Sequence, residues 1–295
     1  MENYILSCSS TCDLTEELLK ERNISYLLFH YYLNDQHYFD DFGKTISFPD
    51  FYQLMREGAD TKTSQVNVEE YKEYFEKLIK EGKDIVHLEL SSGLSGASNS
   101  ARIAAEELME ENPDKKIYII DSLGASSGFG LLLTKLADLR DEGYDAEKLY
   151  VWAEKNKKNM HHWFFSTDLT FFIKGGRVSP VSGWFGTLLK ICPLLNMNHE
   201  GKLIPRHKIR GKAKVIEEIV AKMENHAQKG TAYSEECYIC HSDCIEDALA
   251  VKKLVEEKFK NLKGEVKIFD IGTTIGSHTG PGTVALFFWG DERVD

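Results

Sequence analysis

The sequence predicts an α/β protein of two lobes, and three features support this. Short apolar segments alternate with helical patterns in the first half of the 295 residues, an order typical of a largely parallel sheet with helical crossovers. The length suits one large domain or, more often, two. A charged helical pattern, with few Gly or Pro residues, ends near residue 160. We therefore predict an N-terminal lobe of residues 1–160, a C-terminal lobe of residues 161–295, and a cleft between them.

The first lobe is predicted to consist of strands and helices in alternation. Asp13 is expected to introduce the first helix, and Asn67 with Glu70 forms a capping-box pattern at the start of a later one. Strands are predicted at 4–7, 25–33, 84–90 and 116–120, and helices at 14–21, 51–56, 67–80, 101–111, 129–140 and 146–159.

The second lobe is predicted to contain more strands than helices. His199–Lys202 reads as the turn of a hairpin, and Asp243 is a candidate cap for a following helix. Strands are predicted at 163–166, 196–198, 203–209, 237–241, 266–271 and 283–289, and helices at 212–228 and 248–258.

Composition excludes several classes of protein. The net charge is −11, from 47 acidic and 36 basic residues, and such a charge disfavours binding to nucleic acid. The N-terminus lacks the pattern of a signal peptide, and no segment reaches the roughly 18 apolar residues needed to span a bilayer. Six cysteines without export signals favour free thiols in a reducing compartment. We therefore expect a cytoplasmic protein.

One segment resembles a metal or haem motif. Cys237-Tyr238-Ile239-Cys240-His241, followed by Cys244, contains the C-x-x-C-H spacing. On a strand, however, residues three apart face opposite sides, and no second Cys/His pair lies nearby to complete a zinc tetrahedron. We interpret these cysteines as core residues and predict no metal site. No Walker-type phosphate loop is present.

Two hydroxyl-rich loops are candidates for binding an anion. Ser91–Gly96 follows a predicted strand and precedes a helix, where backbone N–H groups and the helix dipole favour a carboxylate or phosphate. A simple helix cap explains this loop equally well. Thr61–Gln65 is a second such loop and precedes the capping box.

Seven short segments extend in order over nearly the whole chain: Ser10–Leu14, Thr63–Gln65, Ser91–Gly96, Asp121-Ser122, Gly175–Arg177, Lys208–Arg210 and His278–Gly282. Together they resemble the landmarks of the DegV family of bacterial fatty-acid-binding proteins. The chain departs from the usual family pattern at Ser9, Val66 and Ala97, but it keeps the hydroxyl groups of Thr63 and Ser95.

The resemblance implies a two-lobed protein that binds one long-chain fatty acid between its lobes, with no other cofactor and no turnover of its own. Such proteins carry the acyl chain for bacterial fatty acid kinase. A separate kinase subunit phosphorylates the bound carboxylate to an acyl phosphate for phospholipid synthesis. The implied partners are thus the fatty acid and the kinase subunit, together with transient contact at a membrane surface.

The resemblance also implies roles for particular residues. Thr63, Ser95 and His278 would bind the carboxylate, while Arg210 and Arg177 would lie near the head group or face the kinase. The Gly- and Pro-rich surroundings of His278 predict a turn at the mouth of the cleft. The candidates for the wall of the fatty-acid tunnel are Phe164, Phe165, Phe171, Phe172, Leu188 and Leu189. For each of them, an ordinary core position is an equally good interpretation.

The alternative function is an acyl hydrolase or transferase. Ser95 as nucleophile and His278 as base, with backbone donors nearby, would meet the needs of acyl transfer. No acidic residue is marked by the sequence as the partner that would orient His278. Incubation with a chromogenic ester, comparing the wild type with Ser95→Ala, would distinguish the two hypotheses.

Overall fold

The computed structural model describes residues 4–179 and 191–295, which form three β-sheets with helices packed against them. The first part of the chain contains the strands β1 (Tyr4–Ser9), β2 (Ile24–Leu27), β3 (His30–Leu33), β4 (Gln36–Phe39), β5 (Thr61–Ser64), β6 (Asp84–Glu89) and β7 (Ile117–Asp121). Its helices are α1 (Glu16–Glu21), α2 (Phe48–Arg56), α3 (Val68–Ile79), α4 (Ala97–Glu111), α5 (Ser126–Asp141) and α6 (Ala146–Asn156).

The second part begins with a strand at residue 160. Its strands are β8 (Met160–Ser166), β9 (Ile191–Met197), β10 (Leu203–Arg210), β11 (Tyr238–His241), β12 (Lys267–Asp270) and β13 (Thr283–Trp289). Its helices are α7 (Thr170–Lys174), α8 (Lys212–His226), α9 (Ile245–Lys258) and α10 (Thr273–Thr279).

The largest sheets divide between the two parts. A parallel sheet of order β2-β1-β6-β7 belongs to the first part, and a six-stranded mixed sheet of order β10-β9-β8-β13-β11-β12 to the second. A small antiparallel sheet, β4-β3-β5, accompanies α2. These sheets confirm the predicted α/β fold, including the hairpin between β9 and β10. The division into independent lobes at residue 160 stays a prediction.

Helix α5 joins the two large sheets into one core. Its residues Phe129 and Leu133 are completely buried, and they belong to the same apolar cluster as Leu6 of β1 and Phe165 of β8. The helix also contacts β8, β11 and β13. The space between the two large sheets is therefore bordered by α5 and the strands that it packs against.

Within the described ranges, no helix is both long and apolar enough to cross a bilayer.

Local chemistry explains where several elements start. The capping box is confirmed: Asn67 Oδ1 accepts from the N–H of Glu70 at 3.0 Å, and Glu70 Oε2 accepts from the N–H of Asn67 at 2.8 Å. The cap of α1 was predicted wrongly, because Thr15 rather than Asp13 accepts from Leu18 N. Asp13 instead adopts a left-handed conformation, with φ of 47°, and is buried.

Three further expectations are wrong. Residues Thr61–Ser64, predicted as part of a loop, form the strand β5 because they pair with β3. The segment 25–33 forms two strands in different sheets, because the N–H of Phe29 turns to Ser10 Oγ at 3.0 Å instead of joining a ladder. Asp243 does not cap α9, which begins at Ile245 after Cys244. Its carboxylate accepts from Arg56 instead.

Candidate functional site

A cavity of about 350 Å³ is lined by residues from both parts of the chain. Its volume lies within the roughly 300–1,000 Å³ typical of small-molecule sites. Most of its wall is apolar, including Phe29, Leu90, Phe164, Phe172 and Phe287. Thr63, Ser95, Arg177 and His278 also line it, so four of the five predicted site residues meet in one cavity.

His278 connects two of these polar residues. Its Nε2 lies 2.7 Å from Thr63 Oγ1, and its Nδ1 lies 3.4 Å from Arg177 Nη1. A guanidinium can only donate hydrogen bonds, so Nδ1 is the accepting nitrogen. The proton then resides on Nε2 and points at Thr63 Oγ1. As a result, the Thr63 hydroxyl keeps its own proton to donate elsewhere.

Burial affects the charge states of His278 and Arg177 differently. Burial, aided by the neighbouring Arg177 charge, lowers the pKa of His278 to about 3, so the imidazole is neutral near pH 7. Burial also lowers the pKa of Arg177 from its usual value, but an arginine remains charged at that pH. Within the described ranges, no side-chain carboxylate lies within ion-pair distance of Arg177. The cavity therefore contains a cation whose partners are polar but uncharged.

Arg177 also joins the two parts of the chain. Its Nε and Nη2 donate to the carbonyl oxygen of Leu94 at 3.3 and 3.2 Å, and its Nη1 donates to the carbonyl of Gly175 at 2.6 Å. Leu94 lies in the loop between β6 and α4, whereas Gly175 directly follows α7. This contact fixes the guanidinium beside Ser95.

Ser95 is positioned by the start of α4. Its Oγ accepts from the N–H of Ala97 at 3.2 Å, which leaves the Ser95 hydroxyl proton free to donate. The simple helix-cap interpretation of this loop is wrong, because the N-cap residue of α4 is Gly96 and no side chain caps the helix there.

The hairpin between β9 and β10 packs against the same loop. Ser91 Oγ donates to the carbonyl of Gly201 at 2.8 Å. Gly201 has φ of +72°, and a Cβ at this position would lie 2.0 Å from Ser91 Oγ. A Cβ on Gly93 would lie 2.6 Å from the Gly201 carbonyl oxygen. The absence of side chains at both glycines permits the close approach.

The position of His278 differs from the prediction. It lies in the last turn of α10 rather than in a turn at the mouth of the cleft, and it is mostly buried. The Gly- and Pro-rich segment begins only after this helix. Gly175 provides room for the ring, because a Cβ there would lie 2.3 Å from His278 Nδ1.

Arg210 is the predicted site residue that the structure does not bring to the cavity. It ends β10, is exposed to solvent, and is not among the cavity-lining residues. Its place is therefore a surface position, and a role towards a partner stays a prediction.

The tunnel-wall candidates are only partly placed in the cavity. Phe164 and Phe172 line it, and their rings stack with centroids 5.6 Å apart. Phe165 is completely buried in the core, on the opposite face of β8, and Phe171 packs with the residues around α2. Leu188 and Leu189 lie outside the described residues.

His162 is a cavity residue that the sequence interpretation missed. It lines the cavity on the same face of β8 as Phe164, so strand alternation was the available signal. Its Nδ1 contacts the carbonyl of Met160 at 3.1 Å, and its Nε2 accepts from the N–H of Ala125 at 3.3 Å. Both ring nitrogens are thus occupied within the protein.

The acyl-transfer alternative finds no support in this geometry. The His278 nitrogens contact Thr63 and Arg177, and Ser95 Oγ contacts the N–H of Ala97. No Ser95–His278 pair is therefore formed. An imidazole whose pKa is about 3 is also a weak general base near neutral pH.

The motif cysteines are spread over separate environments. Cys240 lies in the cavity wall with its Sγ 3.2 Å from Ser126 Oγ, Cys237 is buried in the core, and Cys244 Sγ contacts the carbonyl of Thr283 at 3.3 Å. Burial raises the pKa of all three thiols. The absence of a metal from this motif stays a prediction.

Comparison with known proteins identifies the family of this chain. A model of the DegV family matches residues 8–291. A DegV domain-containing protein of Clostridium perfringens is 35% identical over 293 residues, covering 99% of each chain. One from Streptococcus pyogenes serotype M3 is 32% identical over 291 residues, covering 98% of this chain and 99% of that one.

Solved structures show the same architecture. A fatty-acid-binding DegV family protein of Thermus thermophilus superimposes with a TM-score of 0.86 at 26% identity, covering 98% of this chain and 99% of that one. A DegV lipid-binding protein of Thermotoga maritima gives a TM-score of 0.83 at 27% identity, covering 99% and 100%. The family model and the relatives above 30% identity establish that this chain belongs to the DegV family.

Proposed function

We propose that the protein binds a long-chain fatty acid in the cavity, with the carboxylate held by Thr63, Ser95 and Arg177, and with His278 orienting the Thr63 hydroxyl and the Arg177 guanidinium. One observation carries the proposal: hydroxyl, imidazole and guanidinium groups converge in a cavity whose wall is otherwise mainly apolar. The Thermus and Thermotoga relatives, described as fatty-acid- and lipid-binding, support the same ligand class.

The energetics favour this ligand. A buried carboxylate is costly unless donors and a counter-charge satisfy it, and the cavity offers two hydroxyls and Arg177. The tail supplies affinity at about 0.8 kcal/mol per buried methylene. A chain of about 14 methylenes would gain about 11 kcal/mol before the costs of ordering.

The direct test is mass spectrometry of the organic extract from protein purified from a bacterial host and denatured. We expect near-stoichiometric fatty acid of about 14 to 18 carbons, a range that includes the chain of about 14 methylenes considered above. An unrelated protein prepared in parallel is the control. An extract no richer in fatty acid than the control, together with no uptake of added palmitate, would refute the proposal.

The finer part of the proposal is that the bound carboxylate is presented to a separate kinase subunit in the cytoplasm. The resemblance of the seven segments to the DegV family suggests this role, and the free cysteines suit a reducing compartment. Arg210 is exposed and cationic at the end of β10. Such a charge can guide a partner without contributing to burial of the tail.

We expect Arg210→Ala to retain bound fatty acid and to reduce acyl-phosphate formation with a purified bacterial fatty acid kinase subunit, ATP and Mg²⁺. Lys260→Ala removes an exposed cation after α9 and serves as the control. His278→Ala should lose lipid instead, because its imidazole lies inside the cavity. If Arg210→Ala supports the same turnover as the wild type, Arg210 does not face the kinase.

A further inference from the structure

Helix α10, which carries His278, is attached to the first part of the chain by a buried carboxylate. Asp40 is 2% exposed and follows β4. Its Oδ1 accepts from Thr273 N at 3.2 Å and from Thr273 Oγ1 at 2.8 Å, and its Oδ2 accepts from Thr274 N at 3.3 Å. Both carboxylate oxygens therefore bind the first turn of the helix.

A second buried carboxylate extends this contact. Asp13 is 6% exposed, and its Oδ1 accepts from Gly272 N at 3.0 Å. Its Oδ2 accepts from Ser126 Oγ, and its carbonyl oxygen accepts from Ser127 Oγ at 3.1 Å. Asp13 thus links the loop after β1, the start of α5 and the segment that leads into α10.

The cost of burial indicates that these carboxylates have a role. Within the described ranges, no lysine, arginine or histidine lies within ion-pair distance of Asp13 or Asp40. Burial raises the pKa of both carboxyl groups, and the hydrogen bonds from Thr273 and Thr274 oppose this for Asp40. An apolar residue at either position would avoid the desolvation cost but could not bind the N–H groups.

Other residues of the first part hold the rest of this segment. Tyr52 of α2 donates to the carbonyl of Ile271 at 2.7 Å, and Thr61 of β5 donates to the carbonyl of Ser277 at 3.2 Å. A Cβ on Gly276 would lie 2.5 Å from the Tyr52 hydroxyl oxygen. Because β5 also carries Thr63, the partner of His278, any displacement of α10 relative to β5 changes that hydrogen bond directly.

We infer that Asp40, supported by Asp13, is a positioning residue that fixes α10 so that His278 meets Thr63 and Arg177. The inference gives a role to the Ser10–Leu14 segment, which contains Asp13 but takes no part in the cavity's polar cluster. The expected effect on fatty-acid affinity rests on the proposed function. The expected effect on the position and pKa of His278 does not depend on any ligand.

Asp40→Asn provides the test. An asparagine keeps the shape of the side chain, but its NH₂ group places donors against either Thr273 or the Thr274 N–H. The control is Asp145→Asn. Asp145 caps α6 through Lys148 N at 2.8 Å, so this variant removes a capping carboxylate from a helix that carries no site residue. Thr273→Val, which removes only the hydroxyl donor to Asp40, is a milder second variant should Asp40→Asn fail to fold.

Two quantities are measured on each folded variant. The first is the pKa and tautomer of His278, by NMR of ¹⁵N-labelled imidazole assigned with His278→Ala. The second is the dissociation constant for palmitate. We expect Asp40→Asn to raise the pKa of His278 from about 3 and to weaken palmitate binding about tenfold, the loss typical of one hydrogen bond to a charged group. Asp145→Asn should leave both unchanged, and Thr273→Val should shift both in the same direction by less.

The outcomes separate this inference from the proposed function. A wild-type titration and tautomer of His278 in Asp40→Asn, or in Thr273→Val if the former does not fold, overturns the inference whatever happens to affinity. If the wild type itself does not bind palmitate, the proposed function fails, and the His278 titration alone still decides whether Asp40 positions α10.

Discussion

In the polar part of the cavity, the hydroxyls of Thr63 and Ser95 each accept one hydrogen bond from the protein and still have a proton to donate. Thr63 Oγ1 accepts a hydrogen bond from His278 Nε2–H, and Ser95 Oγ accepts one from the Ala97 N–H. Each oxygen can therefore donate its own proton to an acceptor, and the two donors converge beside Arg177. This arrangement suits a carboxylate better than a cation or a neutral acyl group.

Thr63→Val and Ser95→Ala should each weaken palmitate binding. A hydrogen bond to a charged group contributes about 1.5–3 kcal/mol, which corresponds to losses of about ten- to a hundredfold. Because both hydroxyls serve one carboxylate, the effects should be non-additive in the double variant. Titration of delipidated protein with palmitate measures the dissociation constants. Ser98→Ala, which removes a buried hydroxyl of α4 outside the cavity lining, is the control. Wild-type affinity in the folded double variant would remove both residues from the site.

Sequence reasoning identified most of these residues but not their relations. Thr63, Ser95 and His278 were predicted to share a site, and the structure brings them to one cavity. Of the two predicted arginines, Arg177 contacts His278 whereas Arg210 is exposed. The sequence could not show which arginine enters the cavity, because Arg177 is held there by the carbonyl of Leu94, a residue 83 positions away.

At the scale of elements, two short connections set the shape of the site. The turn between β9 and β10 presses Gly201 against Ser91, at the start of the loop that contains Ser95. The sequence predicted both the hairpin and the loop, because turn residues and strand ends are local signals. It did not predict their contact, which joins residues 110 positions apart. It also missed the change of sheet at Phe29, because aromatic and apolar residues continue on both sides of Phe29 while the hydrogen-bonding partner changes.

Gly201→Ala should lower both stability and palmitate affinity. Its left-handed φ alone costs a non-glycine residue about 1–3 kcal/mol, and the added methyl group would also displace Ser91. Gly211→Ala is a matched control, since Gly211 has φ of +94° but no atom within 4 Å of the added Cβ. Urea unfolding and palmitate titration of both variants give the comparison. Equal behaviour of the two alanine variants would show that the hairpin contact does not shape the site.

At the scale of the whole molecule, the cavity is part of the junction between two sheets that share one core. Helix α5 packs on both sheets, and segment 271–279 is held by Tyr52, Thr61 and the carboxylates of the first part. A ligand in this junction contacts both parts at once. Its binding free energy therefore adds to the free energy that keeps the parts together.

Removal of bound lipid should lower the melting temperature, and added palmitate should restore it. A ligand present at 100 times its dissociation constant stabilises the folded state by about 2.7 kcal/mol. Methyl palmitate has the same tail without the charge, so it should restore less. Differential scanning calorimetry of delipidated protein with each ligand makes the measurement. Equal stabilisation by acid and ester would show that the polar cluster does not bind the carboxylate.

The ring of His278 occupies the space that a side chain at residue 175 would need, and this has a consequence for how such a protein can evolve. The apolar wall around Phe164 and Phe172 can accept exchanges of similar volume at modest cost, and each exchange reshapes the room for a tail. Residue 175 has no such latitude, since a single methyl group there would lie 2.3 Å from His278 Nδ1. On the proposed function, exchanges in the apolar wall would change which acyl chain fits, whereas a side chain at residue 175 would displace the imidazole that orients the carboxylate-binding groups.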